Sequence, residues 1–469
     1  MKVLSVGCGI GGLAVGLFLS RRGHDVTILE TDPMGLPCGT DEAWKGWPRR
    51  GVAQFRHIHL FNARGRNVLG QLAPDVLDEL RAAGAGEIHL AGPEDDELVR
   101  LTCRRTTYEW VLRRAVLEDA RIRVRGRTRV VGLLGDEHRV VGVRTEDGTE
   151  LRADLVVDAS GRRSALPAWL AAIGSRPPSR EQGEHATVGF TRWYKLRSED
   201  NARLVRADLG YAAGVVAPGD NRMFCVTFGG LGEHDTIRSL RYPAAFDAAA
   251  AVVPPVAVWT DPDRSTVESG VLFMADRTNR LTSIMVDGSP VAAGVVALGD
   301  AAMCTNPGYG RGVGLALVHA ACLADVLDHV GDHGNAPLEV ARAFGQATER
   351  ELEPWYHAAV ASDRVRLSIG RRLLAGEPWS AIGRRGDDPA VRFARGAPYA
   401  AERDAVVARA FHRTFQLLDP PSAYWGNPNI TERVEAVWRE LEDDPPPRPG
   451  PDHREMAELL QAAVAQSAR

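Results

Sequence analysis

Residues 7–12 read G-C-G-I-G-G, and their flanks constrain the chain more than any other feature. Before them, Lys2–Val6 (KVLSV) reads as a short buried strand. After them, Ile10–Leu19 is apolar on nearly every side and reads as a buried helix. Asp25–Leu29 (DVTIL) then makes a second strand, and Glu30 closes it 18 residues past Gly12. This is the strand, glycine turn, helix, strand, acid layout of a dinucleotide-binding unit. Gly7 permits the tight turn out of the strand. Gly9 lets a pyrophosphate approach the backbone, and Gly12 brings the helix close to the sheet. The helix N-terminus offers free N–H groups and a positive dipole end to phosphate. Glu30 is placed to accept hydrogen bonds from ribose hydroxyls. The motif alone leaves open which dinucleotide is meant.

Two later segments repeat the theme of a strand that ends in an acid and a turn. In ADLVVDASGRRSALPAWL (153–170), a strand runs from Ala153 to Asp158. Ser160-Gly161 makes the turn, and a helix starts at Ser164. In VAAGVVALGD (291–300) a strand runs into Gly299-Asp300. The loop with Pro307, Gly308, Gly310 and Gly312 then opens a helix. Three such ends suit one long ligand lying along the carboxyl edge of a parallel sheet. The first turn takes a pyrophosphate, Asp300 a polyol hydroxyl, and the last loop brings N–H groups to a ring carbonyl. A ligand with a pyrophosphate, a ribityl chain and a carbonyl-bearing ring is FAD.

Taken as a set, these motifs resemble the FAD-dependent monooxygenases of the p-hydroxybenzoate hydroxylase type. The likeness covers about residues 1–175 and 290–330. The segment RRGVAQFRHIHLF (49–61) and Asn306-Pro307 resemble actinobacterial epoxidases and hydroxylases of natural-product and antibiotic biosynthesis. The resemblance implies an α/β (α+β) fold: a Rossmann-like FAD-binding domain, an inserted antiparallel β-sheet substrate domain and a helical C-terminal region. The expected bounds are 1–180 and 286–335 for the FAD-binding parts, 181–285 for the sheet and 336–469 for the helices.

The implied activity is transfer of one oxygen atom from O2 to a small or mid-sized organic substrate, by hydroxylation or epoxidation through a flavin C4a-hydroperoxide. The flavin carries the chemistry, so no protein nucleophile is expected. By similarity, Gly7, Gly9, Gly12, Glu30 and Arg113 hold the ADP half of FAD. Asp158 and Gly161 form the second turn, and Gly299 and Asp300 meet the ribityl chain. Pro307, Gly308 and Gly310 lie beside the ring, with Arg56 close to it. At the second turn the aromatic hydroxylases carry Asp-Gly, which they link to NADPH; here Ser160-Gly161 stands. Electrons are therefore expected from NADPH or NADH, either directly or through a separate flavin reductase. Flavin halogenases carry W-x-W-x-I-P, which is absent. Reductases of the geranylgeranyl type share the second turn. A flavin dehydrogenase, oxidase or reductase, or a non-catalytic flavoprotein, remains the alternative.

Residues 187–196 and 221–230 read as strands, and Phe190, Trp193, Met223 and Phe224 are the candidate substrate pocket. His57 and His59 would share a face of a strand. Two histidines do not make a metal site, so no metal is expected. The C-terminal third reads as helices at 311–330, 337–363, 388–397, 402–417, 429–442 and 452–468. Residues 443–451 (DDPPPRPGP) read as a flexible linker.

Composition bounds what remains. Of 469 residues 44% are hydrophobic and 25% charged, with a net charge of −4. That balance argues against nucleic acid or an anionic membrane as the main partner. The six cysteines form no C-x-x-C pair, so reduced thiols in a cytoplasmic protein are expected. Beyond the N-terminal run no stretch reads as a membrane span.

Overall fold

The computed structural model describes residues 1–467 except 92–94, 185–186, 233–234, 276–277, 332–333 and 335. Its first layer is a five-stranded parallel sheet. The strand order is Val295–Ala297, Leu155–Asp158, Lys2–Val6, Asp25–Leu29 and Ile122–Arg125. Lys2–Val6 lies at its centre and pairs in parallel with both neighbours. Its residues Val3, Leu4, Ser5 and Val6 are all buried, as expected where helices cover both faces of a parallel sheet. The helix Ile10–Arg21 packs so closely that a Cβ on Gly16 would fall 2.8 Å from Ile28 Cδ1.

The second layer is antiparallel. Val205–Asp208, Ala212–Pro218, Met223–Leu231, Thr187–Leu196 and Ser265–Val267 follow one another across it, and Leu272–Met274 also pairs with Thr187–Leu196. Side chains alternate between its two faces. One face carries Phe190, Tyr194, Phe224 and Phe228 into a core with Phe246, Val256, Trp259, Met456 and Leu460. The other carries Trp193, Ala217, Met223 and Cys225 onto Trp44, Ile58 and Leu60 of the first layer.

That alternation corrects the candidate pocket. Trp193 and Met223 face the first layer. Phe190 and Phe224 sit on the opposite face, sealed under helices Pro243–Val252, Pro254–Thr260 and His453–Ser467. Residues one or three apart on a strand cannot share a face.

The late helix Gly312–Val330 is long and apolar enough to cross a membrane by length and composition, with mean hydropathy 1.5. It packs instead against the helices Ile10–Arg21, Ala63–Leu72 and Ala336–Glu351, as a core helix. The helix expected over 337–363 is two, Ala336–Glu351 and Glu353–Leu374. Pro354, with no N–H to donate, stands in the first turn of the second. The proline-rich segment 443–451 is not a free linker. Trp379 Nε1 donates to Pro446 O (3.3 Å), and Tyr211 OH donates to Pro451 O (3.1 Å).

Candidate active site

The three strand ends named from sequence do meet. Lys2–Val6, Leu155–Asp158 and Val295–Ala297 are adjacent in one sheet, so their C-terminal turns line one edge. At the first turn Gly7 has φ +101°, in the left-handed region. A Cβ there would meet Ala159 O at 2.7 Å, so the first and second turns touch. A Cβ on Gly12 would collide with the Gly7 carbonyl oxygen. Gly9 is the exception: nothing lies within 4 Å of where its Cβ would be. It is the N-cap of Ile10–Arg21 and offers no side-chain cap, so the helix start is open to a ligand.

Charge converges on this turn from three segments. Glu30 Oε2 accepts from Cys8 N (3.1 Å) and Oε1 from Asp32 N (2.9 Å). Arg49 is 7% exposed and sits among three carboxylates. Its Nε donates to Glu109 Oε1 (2.7 Å), and its Nη1 donates to Asp32 Oδ2 (2.9 Å) and Glu30 Oε2 (3.2 Å). Its Nη2 donates to Cys8 O (3.0 Å). Arg113 also reaches Cys8 O (3.4 Å) and stacks on Trp47 at 4.9 Å. Its Nε and Nη1 are buried with no hydrogen-bond partner among the described residues. A guanidinium with two unpartnered nitrogens, beside an open glycine and a helix N-terminus, fits a phosphate-bearing ligand. Arg49 escaped the sequence reading because it lies 19 residues past Glu30, in a segment without regular structure.

At the second turn Asp158 looks inward. Oδ1 accepts from Ser160 N (3.0 Å) and Ser160 Oγ (2.5 Å), and Oδ2 accepts from Ser164 Oγ. Burial pushes its carboxyl up, while these bonds oppose the shift. Asp158 thus holds the turn that presents Gly161, itself at φ +83° with open space around it.

The late segment is held from several sides. Gly299 N donates to His319 Nδ1 (3.2 Å), and His319 Nε2 meets Thr348 Oγ1 (2.9 Å). Asp300 is pushed up by burial and drawn back down by Arg162, Arg105 and Arg280. Its Oδ1 lies 3.9 Å from where a Cβ on Gly312 would stand, at the start of the late helix. Behind the loop Pro307–Tyr309, Asp363 binds three donors: Asn279 Nδ2 (2.6 Å), Asn306 Nδ2 (2.9 Å) and Tyr309 OH (2.6 Å). Asn306 Oδ1 in turn accepts from Gly308 N (3.0 Å). Gly310 takes φ +64° with Leu60 against it.

The segment 49–61 lies between the two layers. Arg56 donates to Trp44 O (2.9 Å) and Trp47 O (3.1 Å), and Arg56 O accepts from Trp193 Nε1 (2.6 Å). His57 and His59 are not on a strand. His57 Nδ1 meets Thr191 Oγ1 (3.2 Å) on the antiparallel sheet. His59 Nε2 meets Arg105 Nη1 (3.1 Å), and burial with that cation pulls His59 down to about 3. A second clasp joins the layers: Arg104 Nη2 donates to Asp220 Oδ2 (2.6 Å), with both side chains buried. Among the described residues no cluster of His, Cys, Asp or Glu forms a metal site.

A tryptophan halogenase family model matches residues 101–172. The chain is 27% identical over 455 residues to Protein Rv3254 of Mycobacterium tuberculosis, covering 88% of this chain and 89% of that one. It is 26% identical over 345 residues to a menaquinone reductase of the same organism, covering 70% and 76%. The p-nitrophenol 4-monooxygenase PnpA from Pseudomonas putida superposes with a TM-score of 0.60 at 18% identity, covering 89% of this chain and 98% of that one. The parallel sheet with its glycine turn, the roofing antiparallel sheet and these likenesses give the chain the fold of the FAD-dependent monooxygenases.

Proposed function

We propose that the chain is an FAD-dependent monooxygenase that places one oxygen atom of O2 into a small or mid-sized organic substrate of specialised metabolism. The observation that carries the reading is the anion cradle at the first turn: Gly9 with open space, a helix N-terminus, and Arg113 with two orphaned nitrogens. Bound FAD supplies the redox and oxygen-activating chemistry.

The residues divide the work of holding it. Gly7, Gly9, Gly12 and Arg113 take the pyrophosphate, and Glu30 takes the ribose. Arg49 fixes Glu30, Asp32 and Glu109 in place by hydrogen bonds. Asp300 takes a ribityl hydroxyl, and Pro307, Gly308 and Gly310 present the late helix N-terminus to the ring. Trp193, Met223, Trp44, Ile58 and Leu60 are a contiguous apolar cluster between the layers. They keep water out of the space the ring and substrate share. NADPH or NADH supplies electrons, directly or through a separate flavin reductase. No nucleic acid or membrane enters the scheme. The menaquinone reductase relative supports a second reading, a flavin reductase on the same fold.

The test starts with the full chain titrated with FAD. Arg113→Met should stay folded and bind FAD about tenfold to a hundredfold more weakly, the worth of one or two charge-assisted hydrogen bonds. Gly9→Ala should do the same with unchanged thermal stability. A protein that binds no FAD sinks both readings. With reduced FAD and isotopically labelled dioxygen, label in the product supports the monooxygenase. Anaerobic substrate reduction supports the reductase instead.

A further inference from the structure

The loop Pro307–Tyr309 is tied to a carboxylate that belongs to neither sheet. Asp363 lies midway along the helix Glu353–Leu374 and is 6% exposed. Its Oδ1 accepts from Asn306 Nδ2 and Tyr309 OH, and its Oδ2 accepts from Asn279 Nδ2. The pattern closes on itself. Asn279 Oδ1 accepts from Asn306 N (2.6 Å), and Asn306 Oδ1 accepts from Gly308 N (3.0 Å). Among the described residues, none of these side chains has a buried polar atom left without a partner. A buried network with every member satisfied favours one arrangement, because a shift leaves a polar group unpaired.

The loop spends its own N–H groups on that arrangement. Tyr309 N donates to Asn306 O (3.1 Å) and Gly310 N to Pro307 O (3.0 Å), beside the bond from Gly308. The late helix makes its first bond only at Leu315 N, to Arg311 O (3.0 Å). Its opening turn is therefore aimed by the loop that precedes it. At the far end of the loop, Asn62 Nδ2 donates to Gly310 O (3.4 Å), and a Cβ on Gly310 would lie 2.8 Å from Leu60 Cβ. Asp363 holds the near end.

Asp363 is itself held still. The N-terminal half of its helix packs Trp355 and Tyr356 in a cluster with Leu281, Met303 and Leu315. The C-terminal half puts Ile369 and Leu373 into the core of the antiparallel layer. There Gly370 comes so close that a Cβ on it would lie 3.0 Å from Leu231 Cδ1. A helix pinned at both ends presents its middle residue with little freedom. Packing alone does not call for a carboxylate at this point, since burying one is costly unless it is fully bonded.

We propose that Asp363 is the positioning residue of the late loop: through Asn306 and Tyr309 it sets where the start of the late helix meets the flavin ring. The ring's part in this rests on the flavin reading, whereas the hold on the loop does not.

Two measurements separate those halves. The first is hydrogen–deuterium exchange of the full chain without FAD. Asp363→Asn keeps the shape but puts an N–H where a neighbouring group donates. Peptides covering residues 303–312 should then exchange about tenfold faster, while those covering the helix Ile10–Arg21 should not change. The second is made with FAD. The variant should bind it about tenfold more weakly. The reduction potential of the bound flavin should fall, because well-aimed donors stabilise the electron-rich reduced ring. The double variant Asn306→Asp with Asp363→Asn exchanges carboxylate and amide across one hydrogen bond, and it should restore most of both properties. Tyr309→Phe removes one donor. It carries the test, with smaller changes in the same direction, if Asp363→Asn does not fold. Loop exchange at the parent rate, exchange that rises equally along the whole chain, or a double variant that restores nothing overturns the proposal. So does a faster loop with unchanged FAD affinity and potential, which would leave the network a structural role alone. A parent chain that binds no FAD overturns the flavin reading and the ring's part here. The exchange result then decides by itself whether Asp363 sets the loop.

Discussion

The glycine turn at 7–12 and the glycine loop at 307–314 both open helices, yet they are closed by different things. In the first, Gly12 is pressed against the backbone of Gly7, five residues away. In the second, Gly310 is pressed against Leu60, and a Cβ on Gly314 would collide with the Asn62 side chain. Asn62 itself caps the helix Ala63–Leu72 by accepting from Gly65 N (3.4 Å). Gly12 is thus held within its own turn, whereas Gly310 and Gly314 are held by a segment some 250 residues earlier in the chain. At Gly12 the neighbour is backbone, which no substitution removes. At Gly310 and Gly314 it is side chains, which can be changed.

The largest effect expected from that contrast is at Gly12. Gly12→Ala should lose the folded N-terminal unit and all FAD binding, because the new methyl meets a carbonyl that no substitution removes. Circular dichroism and FAD titration check it, and a folded, FAD-binding Gly12→Ala would erase the distinction.

Gly314→Ala comes next. It should destabilise the protein by about 1–3 kcal/mol, the usual cost of overpacking a core. Adding Asn62→Ala should return part of that loss, although the second change alone costs about 1 kcal/mol as a lost helix cap. A double-mutant cycle in urea measures the coupling. Strict additivity would mean that the loop is closed by something other than Asn62.

The smallest effect at neutral pH is one that emerges only in acid. His319 ties the Gly299 turn to the late helix. Its Nδ1 accepts from Gly299 N, so the neutral ring is the one that fits. Burial pulls it down to about 3, while the unfolded histidine titrates near 6.5. Between those values the unfolded chain binds the extra proton. Stability is therefore full above about pH 6.5 and falls as the pH drops toward 3, by up to about 1.4 kcal/mol per pH unit. Denaturation across that range should show the slope in the parent, and His319→Gln should reduce it, leaving the share of His59, which burial also pulls down to about 3. An unchanged slope would show that other groups govern the acid behaviour of the late segment.

The same contrast runs through what was legible beforehand. The elements around Gly7–Gly12, the strand ending at Asp158 and the strand before Gly299 follow from short-range pattern, and the structure has them adjacent in one sheet. The strand Thr187–Leu196 is also legible, but aromatic character does not say which face a side chain takes, and period two puts Phe190 and Trp193 on opposite ones. Arg49 and Asp363 carried no signal. Each matters through partners from other segments: Glu109 and Glu30 for the first, Asn279 and Asn306 for the second.

By itself, then, the sequence determined the parallel sheet and its glycine turn, because apolar periodicity and glycine spacing act within a few residues, while the antiparallel layer was implied by the family resemblance. Only the tertiary structure decided which face of that layer meets the first, which arginine is satisfied by carboxylates, and which is left with unpartnered nitrogens. Those outcomes depend on where segments hundreds of residues apart come to rest, and on whether each buried charge finds an acceptor there.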